Sequence, residues 1–227
     1  MKKIIAISLL LVTVLMLLAG CKQKVDTSDI DTIKAAYGRS YPHRIEVTST
    51  QQFGSQSLNS STTLVRGTVG SDYAAKKITN LERLRSIEDG SGIDVYGPVE
   101  TIKEELWYIA SLGISSDKGE TWDAEGENFF PEKGTFALNL NPDLMSDIVY
   151  EDGTMSFKVL KANSKAFFGA DTSITDDASV TIVTAGGTVN EVKISWVKPE
   201  NIASGVEMTT VTLRAVYIYD QQKVTFD

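Results

Sequence analysis

Apolar and polar side chains alternate with a period of two from Arg44 almost to the C-terminus, resuming after nearly every turn signal. No other feature limits the fold so strongly, because successive side chains of a strand point to opposite faces and such runs specify strands with one buried side. Ile45, Val47, Ser49, Gln51 and Phe53 alternate with Glu46, Thr48, Thr50 and Gln52, break at Gly54-Ser55, and lead into a Ser/Thr-rich run to Thr68. The clearest strand is Glu100–Ile114, which sets Leu106, Tyr108, Ala110, Leu112 and Ile114 on one side and Glu105, Trp107, Ile109, Ser111 and Gly113 on the other. Met155, Phe157 and Val159 alternate with Ser156 and Lys158. Val180–Thr184 and Val189–Val197 flank Gly186-Gly187, a hairpin sequence. In the second of these runs Val192, Ile194 and Trp196 oppose Glu191, Lys193 and Ser195. The last long strand lines up Val211, Leu213, Ala215, Tyr217 and Tyr219 ahead of Val224–Phe226. Tyr73–Glu88 fits both a helix, through Ile78, Leu81, Leu84 and Ile87, and a twisted edge strand; the turn residues Asp89-Gly90-Ser91-Gly92 after it favour the strand. About eight to eleven antiparallel strands result, and without βαβ alternation a parallel sheet is disfavoured.

Helical signals are few. Ser28 caps a stretch whose apolar residues Ile30, Ile33, Ala36 and Tyr37 recur every three to four positions, with Asp29 and Asp31 in the first turn and Gly38 at the end, so a helix is expected over 28–38. Asn141-Pro142 offers a cap and a first-turn proline for a short helix carrying Leu144, Met145, Ile148 and Val149. A helical turn over Ala162–Gly169 would carry Phe167 and Phe168.

The N-terminus has a different character. Met1-Lys2-Lys3 is basic, Ile4–Leu18 is an apolar run of 15 residues, and Leu18-Ala19-Gly20-Cys21 follows. Such a segment reads as a secretory signal, too short and wrongly flanked to span a membrane as a helix. The four residues ending at Cys21 resemble the bacterial lipobox. That resemblance implies cleavage before Cys21 and diacylation of its thiol, with the mature protein tethered to the membrane on its extracytoplasmic side. Two or three acyl chains, at roughly 0.8 kcal/mol per buried methylene, hold such a protein essentially permanently. The expected organisation is a signal peptide at 1–20, a lipidated tether at 21–28 and one β-rich domain at 29–227.

Removing residues 1–20 takes two of the 22 basic residues and none of the 30 acidic ones, leaving 20 against 30 and a mature charge of about −10. Such a balance argues against nucleic-acid partners and against a polybasic membrane patch. Cys21 is the single cysteine, so no internal disulfide forms, and apolar burial must stabilise the core.

Residues able to carry chemistry are sparse. His43, the single histidine, follows Pro42, and the sequence nominates no nucleophile or carboxylate partner for it. Asp171, Ser173, Thr175, Asp176 and Asp177 fail the calcium-loop spacing and read as a solvated loop. Glu104 and Glu105, as strand neighbours, point to opposite faces and make a poor acid–base pair. Ser115–Trp122 fits S-x-D-x-G-x-T-W and so resembles the Asp-box of sialidase-type propellers. One copy in a chain too short for six blades reads as a stable hairpin corner. No enzyme activity, cofactor or metal is expected.

The order of elements, together with Leu106–Trp122, Asn141–Phe157 with its Asp152-Gly153 turn, and Ala178–Trp196, resembles the LolA-like half-barrel and its lipidated relatives of the LppX and LprG type. The resemblance implies an α+β fold: a strongly curved antiparallel β-sheet with a few helices on its concave face and an apolar cavity between them. The ligand would be a lipid or lipidated molecule. Leu106, Tyr108, Leu112, Trp196, Leu213 and Tyr217, on the more apolar faces of their strands, are the candidate ligand-binding residues. Sheet core and cavity lining share one chemistry, so an envelope scaffold or protein-interaction module with a filled core fits the same pattern.

Overall fold

The computed structural model describes residues 27–53, 56–88, 94–131, 138–169, 174–202, 205–221 and 223–226. The leader, Cys21, the Gly54-Ser55 break, the Asp89–Gly92 turn and Asp171–Ser173 lie outside the described residues.

The first described element is α1 (Thr27–Arg39), which buries Ile30, Ile33 and Ala36 on one stripe. It outlasts the expected end at Gly38 by one residue. Among the described residues ten strands follow: β1 (Arg44–Phe53), β2 (Gln56–Val69), β3 (Asp72–Glu88), β4 (Asp94–Ile109), β5 (Gly113–Ser115), β6 (Met145–Glu151), β7 (Thr154–Val159), β8 (Ala178–Ala185), β9 (Thr188–Ile202) and β10 (Gly205–Ile218). A short helix, α2 (Ser164–Phe168), sits between β7 and β8. The two-way pattern at 73–88 resolves as β3, a strand of 17 residues.

All ten strands form one antiparallel sheet in the order β5-β4-β3-β2-β1-β10-β9-β8-β7-β6. Two five-stranded meanders are joined by the β1–β10 pair, where Ile45 faces Tyr217 and Val47 faces Ala215. The order is linear with β5 and β6 at its ends, so the sheet is open and not closed into a barrel. Glycine-bearing tight turns hold the registers: Asp152-Gly153 and Gly186-Gly187 each supply two consecutive positive-φ residues, as two-residue hairpins require.

Register places alternate residues of every strand on a common front face. Ile45 and Val47 share it with Leu64, Ala75, Tyr108, Ala215, Tyr217, Val192, Ile194, Ile182, Val180, Met155 and Phe157. Against this face pack Ile30, Ile33 and Ala36 of α1, Phe167 of α2, and Phe130, Leu140 and Ile174 from connecting segments. Ile33, Met155, Ile182 and Phe167 are fully buried.

Two sequence expectations are corrected. Residues 100–114 are not one strand. The chain turns at Ala110–Leu112, where the Leu112 N–H donates to the Ile109 carbonyl, and returns as β5. Gly113 makes this possible, with φ at 93° and a position where a Cβ would lie 1.9 Å from the Asp123 carbonyl oxygen. Leu112 therefore sits exposed in the turn, out of line with Leu106 and Tyr108. The expected helix after Asn141 is the second correction. Asn141 does accept from the Asp143 N–H, but only one 3-10 turn follows (Pro142–Leu144) before β6 begins. A bulge at Asp147, φ 50°, breaks the period-two pattern there, and that break mimics a helical spacing of Leu144, Met145, Ile148 and Val149.

Candidate ligand-binding face

The front face is covered unevenly. Over β7 to β10 the two helices and the connecting segments bury most of it, with Trp196 and Leu213 left half-buried. Toward β1 to β4, Val47, Leu64, Tyr73 and Tyr108 are only half-buried while still touching the core. Tyr73 and Tyr108 pack edge-to-face with ring centroids 6.1 Å apart.

Of the sequence-nominated ligand residues, Tyr217 is a core residue at 3% exposure. Trp196 and Tyr108 are half-buried against the core, and Leu106 and Leu213 are half-buried on the same face. Trp196, Leu213 and Tyr217 come together on adjacent β9 and β10, where Val211 faces Trp196 and Leu213 faces Ile194. Leu106 and Tyr108 lie four strands away across β3, β2 and β1, about 19 Å along the sheet at ordinary strand spacing. Leu112, in its turn, joins neither group.

Several side chains that pattern reading overlooked organise this face. Ser40, fully buried, donates to the Ala36 carbonyl at 2.8 Å and accepts from the Val189 N–H at 2.9 Å, clipping the end of α1 to the start of β9. Tyr219 donates to the Val189 carbonyl beside it. Tyr37 presses against the core with its hydroxyl buried and without a hydrogen-bond partner among the described residues. Burial, followed by the neighbouring Tyr217 and Tyr219, pushes its ionisation far above the usual tyrosine range. No periodicity signals a serine like Ser40, because its role comes from a strand 149 residues away.

The back face is more polar, with half-buried Val65, Ile78 and Val216 set among its polar residues. Trp107 is buried there, its ring centroid 4.7 Å from that of Phe226, which the C-terminal segment brings back across β3 and β4. Lys76 lies 2.7 Å from Glu105 and also donates to the Thr225 carbonyl at 3.3 Å. Burial pushes the Glu105 carboxyl up, but hydrogen bonds from Lys76 and Trp107 outweigh it and hold the group low.

The Asp-box-like corner consumes its own polar groups. Ser115 donates to Asp117 at 2.7 Å and accepts from the Gly119 N–H at 2.8 Å; Asp117 also accepts from the Thr121 N–H at 2.9 Å and from the Thr121 hydroxyl. Trp122 donates from its indole to the Gly119 carbonyl at 3.1 Å. The motif is a turn whose functional-looking residues are occupied in making it.

The described surface includes a polar pocket and a mixed one. One of about 390 Å³ is lined chiefly by back-face polar residues, among them Thr48, Thr50, Asn59, Asn80 and Glu82. The other, of about 310 Å³, is lined by His43, Arg66, Gly67, Thr68, Tyr73 and Gln221 at one end of the front face. Neither is lined by Leu106, Tyr108, Leu112, Trp196, Leu213 or Tyr217. Among the described residues no three His, Cys, Asp or Glu side chains converge as metal ligands, and no helix is long and apolar enough to cross a membrane.

No family model and no curated protein matches the sequence. Among solved structures, the chain is similar to a DUF1329 family protein from Desulfovibrio piger, at 10% identity over 87% of this chain and 94% of that one, with a TM-score of 0.28. At that score the likeness carries no conclusion about architecture or activity.

Proposed function

We propose that this chain is an extracytoplasmic lipoprotein, anchored through acylated Cys21, that binds a lipid or lipidated molecule on the front face of its sheet. On this reading it belongs with the LolA-like half-barrels of the LppX and LprG type. The sheet bends around its ligand, and the domain carries out no chemistry. The observation that carries the proposal is the uneven cover of one largely apolar face. Under the helices it is fully buried, whereas Val47, Leu64, Tyr108 and Trp196 keep part of their apolar surface accessible beside that core. A natural twist and coil in a ten-stranded open sheet supports the bend, and half-exposed apolar rows beside a rigid core are what hydrophobic ligand sites are made of.

A second reading, an envelope scaffold with a filled core, is favoured by one observation: beneath α1 and α2 the packing is complete, with Ile33, Phe167, Met155 and Ile182 all at 0% exposure. Native mass spectrometry of protein purified from bacterial membranes decides between them. Co-purifying lipid, lost on denaturation while the acyl groups on Cys21 remain, supports ligand binding. Placing charge at the half-buried positions, as Tyr108→Glu or Leu213→Glu, should abolish that lipid without unfolding the chain. Protein free of bound lipid, or uptake unchanged in both variants, leaves the scaffold.

A further inference from the structure

His43 and Arg66 are adjacent cationic-capable residues at one end of the front face. The Arg66 N–H donates to the His43 carbonyl at 2.9 Å, one step beyond the Arg44–Val65 pair that ends the β1–β2 register. The alternation that puts Ile45 and Leu64 on the front face puts His43 and Arg66 there too, with Cβ atoms about 5 Å apart as cross-strand neighbours. Thr68 and Tyr73, themselves a cross-strand pair, extend the same corner, and Gln221 closes it to form the 310 Å³ pocket.

What sets Arg66 apart is how it is satisfied. Three other arginines of the sheet, Arg44, Arg83 and Arg214, are each paired with a glutamate, at 2.6, 2.6 and 2.7 Å. Arg66 instead lies over the ring of Phe130, 5.0 Å from its centroid, and among the described residues no carboxylate reaches it. Phe130 is a buried core residue, so its ring holds the guanidinium in place without consuming its N–H donors. In a mature chain of about −10 net charge, a half-buried arginine that is stacked and not ion-paired, beside the single histidine and two hydroxyl donors, is a site arranged for an anion.

We propose that this pocket binds the phosphate or carboxylate headgroup of an amphiphile, with Arg66 as the principal ligand and His43, Thr68 and Tyr73 completing the donor set. The proposal rests on the lipid-binding reading and gives it a polarity. Pockets for small molecules span roughly 300–1,000 Å³, so this one admits a headgroup and leaves the chains outside. The chains have a surface to lie on next to it, because Tyr73 lines the pocket and also packs edge-to-face with Tyr108, beside half-buried Leu64 and Val47.

Three probes test this by calorimetric titration of the detergent-solubilised full chain: dihexanoyl phosphatidic acid, dihexanoyl phosphatidylcholine and inorganic phosphate. Phosphatidic acid should bind tightest, and Arg66→Gln should weaken it about tenfold or more, the scale of a lost charge-assisted hydrogen bond. His43→Gln should weaken it less. Phosphate bound and lost in Arg66→Gln, with neither lipid bound, upholds the anion site and removes the lipid reading. Equal affinity for the two lipids, unchanged in Arg66→Gln, overturns the anion site and leaves the lipid reading standing. Absence of binding by all three probes overturns both. The comparison of the two lipids on the unmodified chain needs no variant, so a misfolded Arg66→Gln does not shelter the proposal.

Discussion

Asp117 illustrates how much one side chain can do where the backbone has no room for error. It is only half-buried, yet its carboxyl is held down to about 2, first by the Thr121 hydroxyl, then by the Thr121 N–H and the Ser115 hydroxyl. A carboxylate depressed in the folded state from an ordinary value of 3.8 contributes stability that is complete above that value and fades as pH falls toward about 2. Melting temperatures followed by circular dichroism should therefore fall in that window for the natural chain. In Asp117→Ala they should be lower at neutral pH and fall less steeply in acid. This corner was readable from eight consecutive residues because all its hydrogen bonds are local. Leu112 was not. Ala110-Ser111-Leu112 holds no proline or asparagine to announce a turn, and the constraint lies in Gly113, whose missing Cβ makes way for the distant Asp123 carbonyl.

At the scale of elements, α1 was legible because its stripe and its first-turn acids both follow the helical period. How it docks was not legible, since the Ser40 clip joins Ala36 to Val189 across the chain. Replacing Ser40 by Ala orphans the buried Val189 N–H and should cost about 1–3 kcal/mol in equilibrium urea unfolding. A loss within about 0.5 kcal/mol, the usual range for surface substitutions, would mean that apolar packing alone holds the helix. The strand β6 shows the opposite failure. Its bulge at Asp147 converts an alternating pattern into one that imitates a helix, and only pairing with β7 reveals which is meant.

At the scale of the molecule, everything turns on β10. It is the strand that joins the two meanders, pairing with β1 on one side and β9 on the other. A chain ending before Gly205 would leave both of those strands with long unpaired edges, and exposed edges recruit other chains. Such a truncation should lose the cooperative thermal transition and sediment as aggregates; a monomer that melts cooperatively would show that the meanders are independent. The same joint makes the fold rich in contacts between distant residues, the class of topology that folds slowly.

Period, turn chemistry and leader composition are properties of neighbouring residues, so the strands, most of their inward faces, the glycine hairpins, the first helix and the expectation of a lipid anchor could all be read along the chain. Tertiary structure alone decided the pairing of first strand with last, the clip at Ser40, the return of Phe226 over Trp107, and the placing of Arg66 on Phe130 beside His43. Each of these joins residues far apart in the chain through hydrogen bonds or ring contacts whose chemistry leaves no periodic trace, so only the folded sheet brings them together.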